Sequence, residues 1–219
     1  MKRALFIVAL LATCTTLPAQ AQALRQVNFP DGTGSVGLPA GWQLVSAYRG
    51  SVTVSGPGGA AVILGLPWAM IRPGSSLTSL PAAQSSPIAS PKNLALALAE
   101  VLAKRGGARL TGLRGQPLEG PAYLLMYDFV QNGTTMTGLG YFAPLEYAGS
   151  DLWQLYSSSI VAPRAQFAQL APGMMNIWKS WKPNGQAPLE GSASAKLDRA
   201  LRQSQGHFEA IQQQFRKLL

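Results

Sequence analysis

The chain has 219 residues, with 18 Lys or Arg against 9 Asp or Glu, and its formal net charge is +9. With one cysteine and one histidine, it has too few ligands for a histidine metal cluster and no cysteine pair for a disulfide. The basic residues are scattered, and no Lys/Arg run exceeds two residues, which argues against a nucleic-acid-binding face.

Residues 1–23 are predicted to be a cleaved export signal. Lys2 and Arg3 precede the apolar run Ala4–Ala12, which is too short to span a membrane. Ala19-Gln20-Ala21 and Ala21-Gln22-Ala23 both offer the small-x-small pattern that signal peptidase requires, and cleavage is expected after Ala23, with Ala21 as the second site. The protein is therefore expected in the periplasm or outside the cell.

An alternative N-terminal signal involves the single cysteine. Leu11-Ala12-Thr13-Cys14 resembles a bacterial lipoprotein signal, although Thr13 departs from the small residue expected there. Cys14 would then carry a lipid. If cleavage instead follows residue 23, the mature chain has no cysteine and must be stabilised by packing alone.

The first part of the mature chain reads as short strands and turns. The predicted strands are Gln26–Phe29, Ser35–Leu38, Trp42–Tyr48, Ser51–Ser55 and Ala60–Leu64. Gly56-Pro57-Gly58-Gly59 predicts a hairpin between the last two. The stretch Ser35–Val45, SVGLPAGWQLV, breaks at Pro39 and restarts at Trp42, which is expected to anchor the next strand in the core.

Residues 68–90 are rich in Pro, Ser and Ala, and they are long for an ordinary connection. They are interpreted as an insertion, either a mobile excursion or a functional lid. Trp68 and Arg72, at its start, are candidate residues for a partner or ligand surface.

A helix is predicted next, with Ser90 as its cap, Pro91 in its first turn and Gly106-Gly107 at its end. Leu94, Leu98, Val101 and Leu102 fall on one face, so the helix should lie on a sheet.

A second set of strands and a second helix follow. The strands are Arg109–Leu113, Ala122–Val130, Thr134–Phe142 and Leu152–Val161, the last with Trp153 and Leu155 on one face. Asn132-Gly133 predicts a tight hairpin turn between two of them. The helix is predicted from Pro163 to Trp181, with a kink or restart at Pro172-Gly173.

A linker, 185–193, and an amphipathic helix, 194–219, are predicted to end the chain. One face of this helix carries residues at alternating spacings of four and three, and we call it the seam: Leu197, Leu201, Ser204, Phe208, Ile211, Phe215 and Leu218. Such a seam is an interaction face, which could dock on a partner or pack on its own domain. Leu197, Leu201, Phe208, Ile211 and Phe215 are therefore candidate partner-binding residues.

The body of the chain, from Gln26 to Asn184, resembles a PsbP-like domain. The resemblance rests on Leu38-Pro39-Ala40-Gly41-Trp42, on LWQLYSSSIVAP at Leu152–Pro163, and on Ile177–Trp181. It implies an α+β fold with an antiparallel sheet sandwiched by helices (α/β/α). The characterised members of that family act by binding other proteins, and the resemblance carries no catalytic or binding residue to this chain.

Three patterns with catalytic or cofactor potential were weighed against simpler explanations. Gly32–Gly37 fits Gly-x-Gly-x-x-Gly by letter, but a strand follows it rather than the helix that a dinucleotide site needs. His207 lies in the tail, where no rigid catalytic triad is expected. Asp128, Glu146 and Asp151 could in principle serve a hydrolase.

Two functions remain open from the sequence. The first is a non-catalytic binding or scaffolding module of the bacterial envelope, with no cofactor and no metal, which binds a protein partner through the C-terminal helix. The alternative is a hydrolase that acts on an envelope polymer or small molecule through the three carboxylates. Contact of the tail with anionic lipid ranks last, because its five basic and three acidic residues leave only +2.

Overall fold

The computed structural model describes residues 23–118 and 120–184. The predicted linker 185–193, the predicted helix 194–219 and all but the last residue of the predicted signal peptide lie outside the described residues. Within the described ranges the chain forms two sheets and two α-helices, which confirms the predicted α+β class.

The strands and helices have the following bounds. The strands are β1 (Arg25–Asn28), β2 (Gly34–Leu38), β3 (Gln43–Tyr48), β4 (Ser51–Ser55), β5 (Ala61–Ile71), β6 (Arg109–Pro117), β7 (Tyr123–Gln131), β8 (Thr134–Glu146), β9 (Leu152–Pro163) and β10 (Lys182–Pro183). The helices are α1 (Leu94–Gly106) and α2 (Phe167–Ser180).

Seven strands form one antiparallel sheet in the order β3-β4-β5-β9-β8-β7-β6. The other three form a small antiparallel sheet in the order β1-β2-β10. The two-residue strand β10 was not predicted. It follows α2 directly and pairs with β2 at Ser35 and Gly34.

The large sheet has a packed layer on each face, which confirms the predicted sandwich. On the face that we call inner, α2 and β2 pack on β4, β5, β8 and β9 in a cluster that includes Trp42, Tyr156 and Trp178. On the outer face, α1 packs on β7, β8 and β9 in a cluster that includes Leu98 and Phe129. Apolar surface on both sides of the sheet is thereby removed from water, which is the main stabilising term.

The turn at Pro39 joins the two sheets rather than two strands of one hairpin. β2 pairs with β1 and β10, whereas β3 pairs with β4. The Trp42 amide donates to the Pro39 carbonyl at 3.2 Å, and Gly41 has a φ of +81°, which favours glycine. Trp42 is buried in the inner cluster, so its predicted role as the anchor of β3 is confirmed.

The hairpin predicted at Asn132-Gly133 is also confirmed. These two residues have φ values of +49° and +77° and connect β7 to β8. Both are left-handed, as a two-residue turn between twisted strands requires.

The first helix begins later than predicted. Asn93 caps α1, not Ser90, because the Asn93 side chain accepts a hydrogen bond from the Leu96 amide at 3.0 Å. Ser90 lies one turn earlier, where its carbonyl accepts from the Asn93 amide at 2.9 Å. The predicted stop is confirmed, since Gly107 closes the helix with a φ of +60°.

The second helix is shorter than predicted at its start. Pro163 pairs with Met136 at the end of β9, so the chain is still extended there and α2 begins at Phe167. Of the kink or restart predicted at Pro172-Gly173, the restart is wrong, because one helix continues through Pro172. Its apolar face is buried in the inner cluster, with Met174 and Ile177 at 0% exposure.

Residues 68–90 are more ordered than their composition suggested. β5 continues through Trp68 to Ile71 in register with β9, so the first part of this segment belongs to the sheet. Two short 3-10 turns follow, Ser76–Ser79 and Pro81–Ser85. The indole of Trp153 on β9 then donates to the Ala89 carbonyl at 2.8 Å in the core, which fastens the far end of the segment.

We expect Gly56→Ala to destabilise the domain, because a methyl group there would lie 2.6 Å from the Trp42 ring. Overpacking of this kind costs about 1–3 kcal/mol, which urea unfolding would measure. Gly173→Ala in α2 is the matched control, since a methyl group there meets open space and should stabilise by up to about 1 kcal/mol. Equal stabilities of the two variants would contradict the packing of Trp42 on Gly56.

Candidate functional site

The two sheets meet at a hydrogen-bonded corner. Asp31, between β1 and β2, accepts from the Arg49 amide at 2.7 Å and from the Thr33 hydroxyl at 2.6 Å. The Thr33 hydroxyl oxygen accepts from the Gly50 amide at 2.8 Å, and the Thr33 carbonyl accepts from the Asn184 amide at 2.7 Å. These bonds hold the β3–β4 turn, the small sheet and the chain that follows α2 at one place.

The hydrogen bonds at this corner favour the ionised form of Asp31. The Thr33 hydroxyl is the largest cause, followed among the lowering contacts by the Arg49 amide, and together they hold the pKa of Asp31 below its ordinary value of 3.8. The Asp31 carboxylate therefore has a structural role, in which it holds the β1–β2 turn against the β3–β4 turn.

The outer face of the large sheet is covered over only part of its width. The cluster beneath α1 contains no residue of β3 or β4 among the described residues. Val52, Val54 and Val62 belong to the inner cluster, so their sequence neighbours on β4 and β5 point outward. We call the uncovered area the open face; it consists of Ser46, Tyr48, Ser51, Thr53, Ser55, Ala61, Ile63 and Leu66.

Two strongly exposed apolar side chains lie at this side of the sheet. Tyr48 on the open face is 63% exposed, and Val45 beside it, at a bulge of β3, is 61% exposed. These are the two highest values among the exposed large apolar side chains of the described chain. Sequence reasoning missed this surface, although the alternation of Ser51, Thr53 and Ser55 with valines indicated that β4 has one polar face.

Trp68, a predicted surface candidate, lies at the border between the open face and the part covered by α1. It packs against the outer cluster and is half-buried. Its indole N–H donates to the Ser157 hydroxyl at 2.9 Å, so the hydrogen-bonding group is already used within the domain. What Trp68 can offer a partner is therefore ring surface.

Arg72, the other surface candidate, is engaged in contacts with the β8–β9 loop. Its Nη2 lies 2.7 Å from a Glu146 carboxylate oxygen, and its Nε donates to the Ser150 carbonyl at 3.1 Å. Asp151 accepts from the Ser75 hydroxyl at 2.8 Å. The structure thus brings Arg72, Glu146 and Asp151 together around an open depression of about 600 Å³.

The third candidate carboxylate lies far from the other two. Asp128 is opposite Thr137 on β8, whereas Glu146 ends that strand nine positions later. At about 3.3 Å per residue the separation is about 30 Å, too far for one catalytic site. Asp128 instead accepts from the Thr137 hydroxyl at 2.6 Å and lies 3.7 Å from the Arg164 guanidinium.

The remaining sequence candidates form two groups, glycines in the small sheet and residues outside the described ranges. Gly32 lies in the β1–β2 turn, and Gly34 and Gly37 lie in β2, so these glycines do not begin a helix. Leu197, Leu201, Phe208, Ile211, Phe215 and His207 lie outside the described residues, as does Cys14.

Within residues 23–118 and 120–184, no group of three or more His, Cys, Asp or Glu side chains could hold a metal ion. No helix in that same part of the chain is both long and apolar enough to cross a membrane.

Two buried tyrosines, Tyr127 and Tyr141, are not candidates for acid–base chemistry. Burial raises the pKa of Tyr127 and of Tyr141 to about 12, and a hydrogen bond with Ser159 opposes the shift at Tyr127. Both rings lie in the clusters that pack the sheet. Both phenols therefore remain neutral near pH 7, and the two side chains contribute to core packing.

Comparison with known proteins finds no matching family model and no matching curated protein. Solved structures do match. PsbP (CyanoP) from Synechocystis is 12% identical with a TM-score of 0.38, over 79% of this chain and 98% of that chain. The Ran-binding protein Mog1p from Saccharomyces cerevisiae is 11% identical with a TM-score of 0.34, over 85% of this chain and 94% of that chain.

A further match is LpqN from Mycobacterium tuberculosis, described as involved in cell envelope biogenesis. It is 12% identical with a TM-score of 0.35, over 73% of this chain and 90% of that chain. The structures found thus include a PsbP, the protein that gives its name to the family the sequence resembles. At these identities and TM-scores the likeness assigns no function to this chain.

Stability should depend on Asp31 only above its folded pKa. Because that pKa is lowered, the carboxylate stabilises the fold above about pH 4, and this contribution is lost as the pH falls below 3.8. In urea unfolding between about pH 6 and pH 2, the wild type should be more stable than Asp31→Asn at the upper end. The difference should shrink toward the lower end, and a difference independent of pH would contradict the role given to the charge.

The segment after β5 should depend on its buried anchor more than on its ion pair. Trp153→Phe leaves the buried Ala89 carbonyl without its donor and should cost about 2 kcal/mol. Arg72→Ala removes a pair whose side chains are 31% and 51% exposed, and should cost at most about 1 kcal/mol. Hydrogen exchange of residues 72–90 should rise more in Trp153→Phe, and the reverse order would contradict this assignment.

Proposed function

We propose that this chain is an exported, non-catalytic protein-binding module of the bacterial cell envelope. Residues 1–23 would direct it to the periplasm or beyond, and residues 24–184 would form the folded body. The observation that carries the proposal is the open face, with Tyr48 and Val45 more than 60% exposed at its margin. Exposed apolar side chains beside an uncovered sheet face suit a surface that contacts other proteins.

The hydrolase alternative has no comparable support. Asp128 lies about 30 Å along the sheet from Glu146, and Glu146 forms an ion pair with Arg72. The depression beside them is open to solvent, so it does not supply the water-excluded surroundings in which catalytic groups are most effective. These contacts fix the β8–β9 loop and the segment after β5.

The partner would be bound through the apolar seam of residues 194–219. Leu197, Leu201, Phe208, Ile211 and Phe215 recur at helical spacing, which suits docking of one helical face into a groove of another protein. Trp68 would add ring surface at the border of the open face. Arg72 would contribute only through the loop that it holds.

The double variant Leu201→Asp/Phe208→Asp should lose capture of its partner from a native envelope extract, because charged groups cannot enter an apolar groove at low cost. The melting temperature should change little. Gln203→Asp/Gln213→Asp is the matched control, since it adds the same charge on the opposite side of the helix and should keep the partner. If the seam variant captures the same proteins as the control, the proposed binding mode is wrong.

A further inference from the structure

The open face has the width and length of one helix. Neighbouring strands lie about 4.8 Å apart, so β3 to β5 span about 10 Å, close to the diameter of a helix with its side chains. The outward row of β5 from Ala61 to Trp68 is about 23 Å long. At 1.5 Å per residue, the seam from Leu201 to Phe215 would be about 21 Å long.

The chemistry of the open face suits an apolar helical seam more than a charged ligand. Its side chains are small hydroxyls on β4, an apolar row of Ala61, Ile63 and Leu66 on β5, and Tyr48 at the edge. None of them is ionisable except the Tyr48 phenol. An anionic lipid surface or an acidic polymer would need several basic groups there, whereas the contact at this face involves one, Arg49, whose guanidinium lies 5.1 Å from the centre of the Tyr48 ring.

The chain leaves the described domain beside this face. Trp181 donates its indole N–H to the Gly50 carbonyl at 3.0 Å, and Asn184 is bonded to Thr33 at the same corner. Gly50 lies in the turn between β3 and β4, next to Tyr48. The segment that begins at residue 185 therefore starts at one end of the open face.

The predicted linker is long enough for the tail to reach the outer side. Residues 185–193 span at most about 30 Å when extended, whereas the chain has to pass around the Arg49-Gly50 turn, a path on the order of the 10 Å thickness of a sheet layer. A tethered segment is also present at a far higher effective concentration than any free partner.

We propose that residues 194–219 cover the open face of their own domain, with Leu201, Phe208 and Ile211 against the row of Ala61, Ile63 and Leu66. The inference rests on the proposed function, because the same seam would then bind the partner. The contact is weak, since the hydroxyl-lined floor of β4 and Ser204 in the seam limit the apolar area buried. The groove of a partner protein would compete with the open face for the seam. The seam would then stay on its own domain until a partner binds it.

Cysteine cross-linking of the chain expressed from residue 24 tests this directly, because that chain has no cysteine of its own. Thr53→Cys lies on the open face, and Ser204→Cys lies in the seam with little change in size. A short bis-maleimide should join this pair within one molecule at least tenfold faster than the control pair Lys179→Cys and Ser204→Cys. Lys179 is exposed on α2, near the point where the chain leaves the domain, so an undocked tail reaches it at least as readily.

Three results would overturn the inference. Equal rates for the two pairs would show that the tail does not rest on the open face. A product of two chains would show that a second copy covers it instead. A rate unchanged by adding Leu201→Asp/Phe208→Asp would show that the seam is not the contact. Partner capture by the parent chain is measured separately, so the proposed function can stand when this inference fails.

Discussion

Strand β9 is buried on both faces, and the layering of the domain depends on it. Its alternate side chains enter different clusters, Trp153 and Leu155 the outer one and Tyr156 and Ile160 the inner one. A strand of this kind is stable only when each side of its sheet carries a packed layer. The inner layer is α2 with the small sheet, and the outer layer is α1 with the segment that Trp153 holds at Ala89.

The two layers differ in extent, and the functional proposals follow from that difference. On the inner face, buried residues of the cluster extend from β4 to β7, and the cluster also contains Trp42 and Trp181. On the outer face, α1 is only 13 residues long and its cluster begins at β5. The sheet therefore has an outer margin, β3 and β4, whose outward side chains are partly accessible. Because the chain emerges at this margin, the nearest apolar segment able to cover it is the chain's own tail.

Local signals in the sequence were sufficient for elements whose conformation is set by neighbouring residues. Asn132-Gly133 requires a left-handed turn, and the apolar stripe of α1 requires a sheet beneath it. The cap of α1 could not be chosen in this way, because Ser90 and Asn93 are both good caps. Tertiary contacts decided it, since the Ala89 carbonyl is bound by Trp153 and the chain before Asn93 is held in place.

The surface proposed as functional was harder to predict than the fold. The break at Pro39 was visible, but the assignment of β2 and β3 to separate sheets depends on pairing with β10 more than 140 residues later. Likewise, Asp128 and Glu146 looked equivalent in sequence until the pairing of β7 with β8 placed Asp128 opposite Thr137, nine positions along β8 from Glu146. A site formed by strands that are distant in sequence is hard to predict, because no single segment contains the pattern that defines it.

Hydroxyl-radical footprinting of the intact chain tests the central claim most directly, by comparing two tyrosines within the same molecule. In the described domain Tyr48 on the open face is 63% exposed and Tyr123 at the start of β7 is 36% exposed. If the tail covers the open face, Tyr48 will be oxidised more slowly than Tyr123 despite its greater exposure in the domain. Faster oxidation of Tyr48 would show that the open face is bare and would contradict the account.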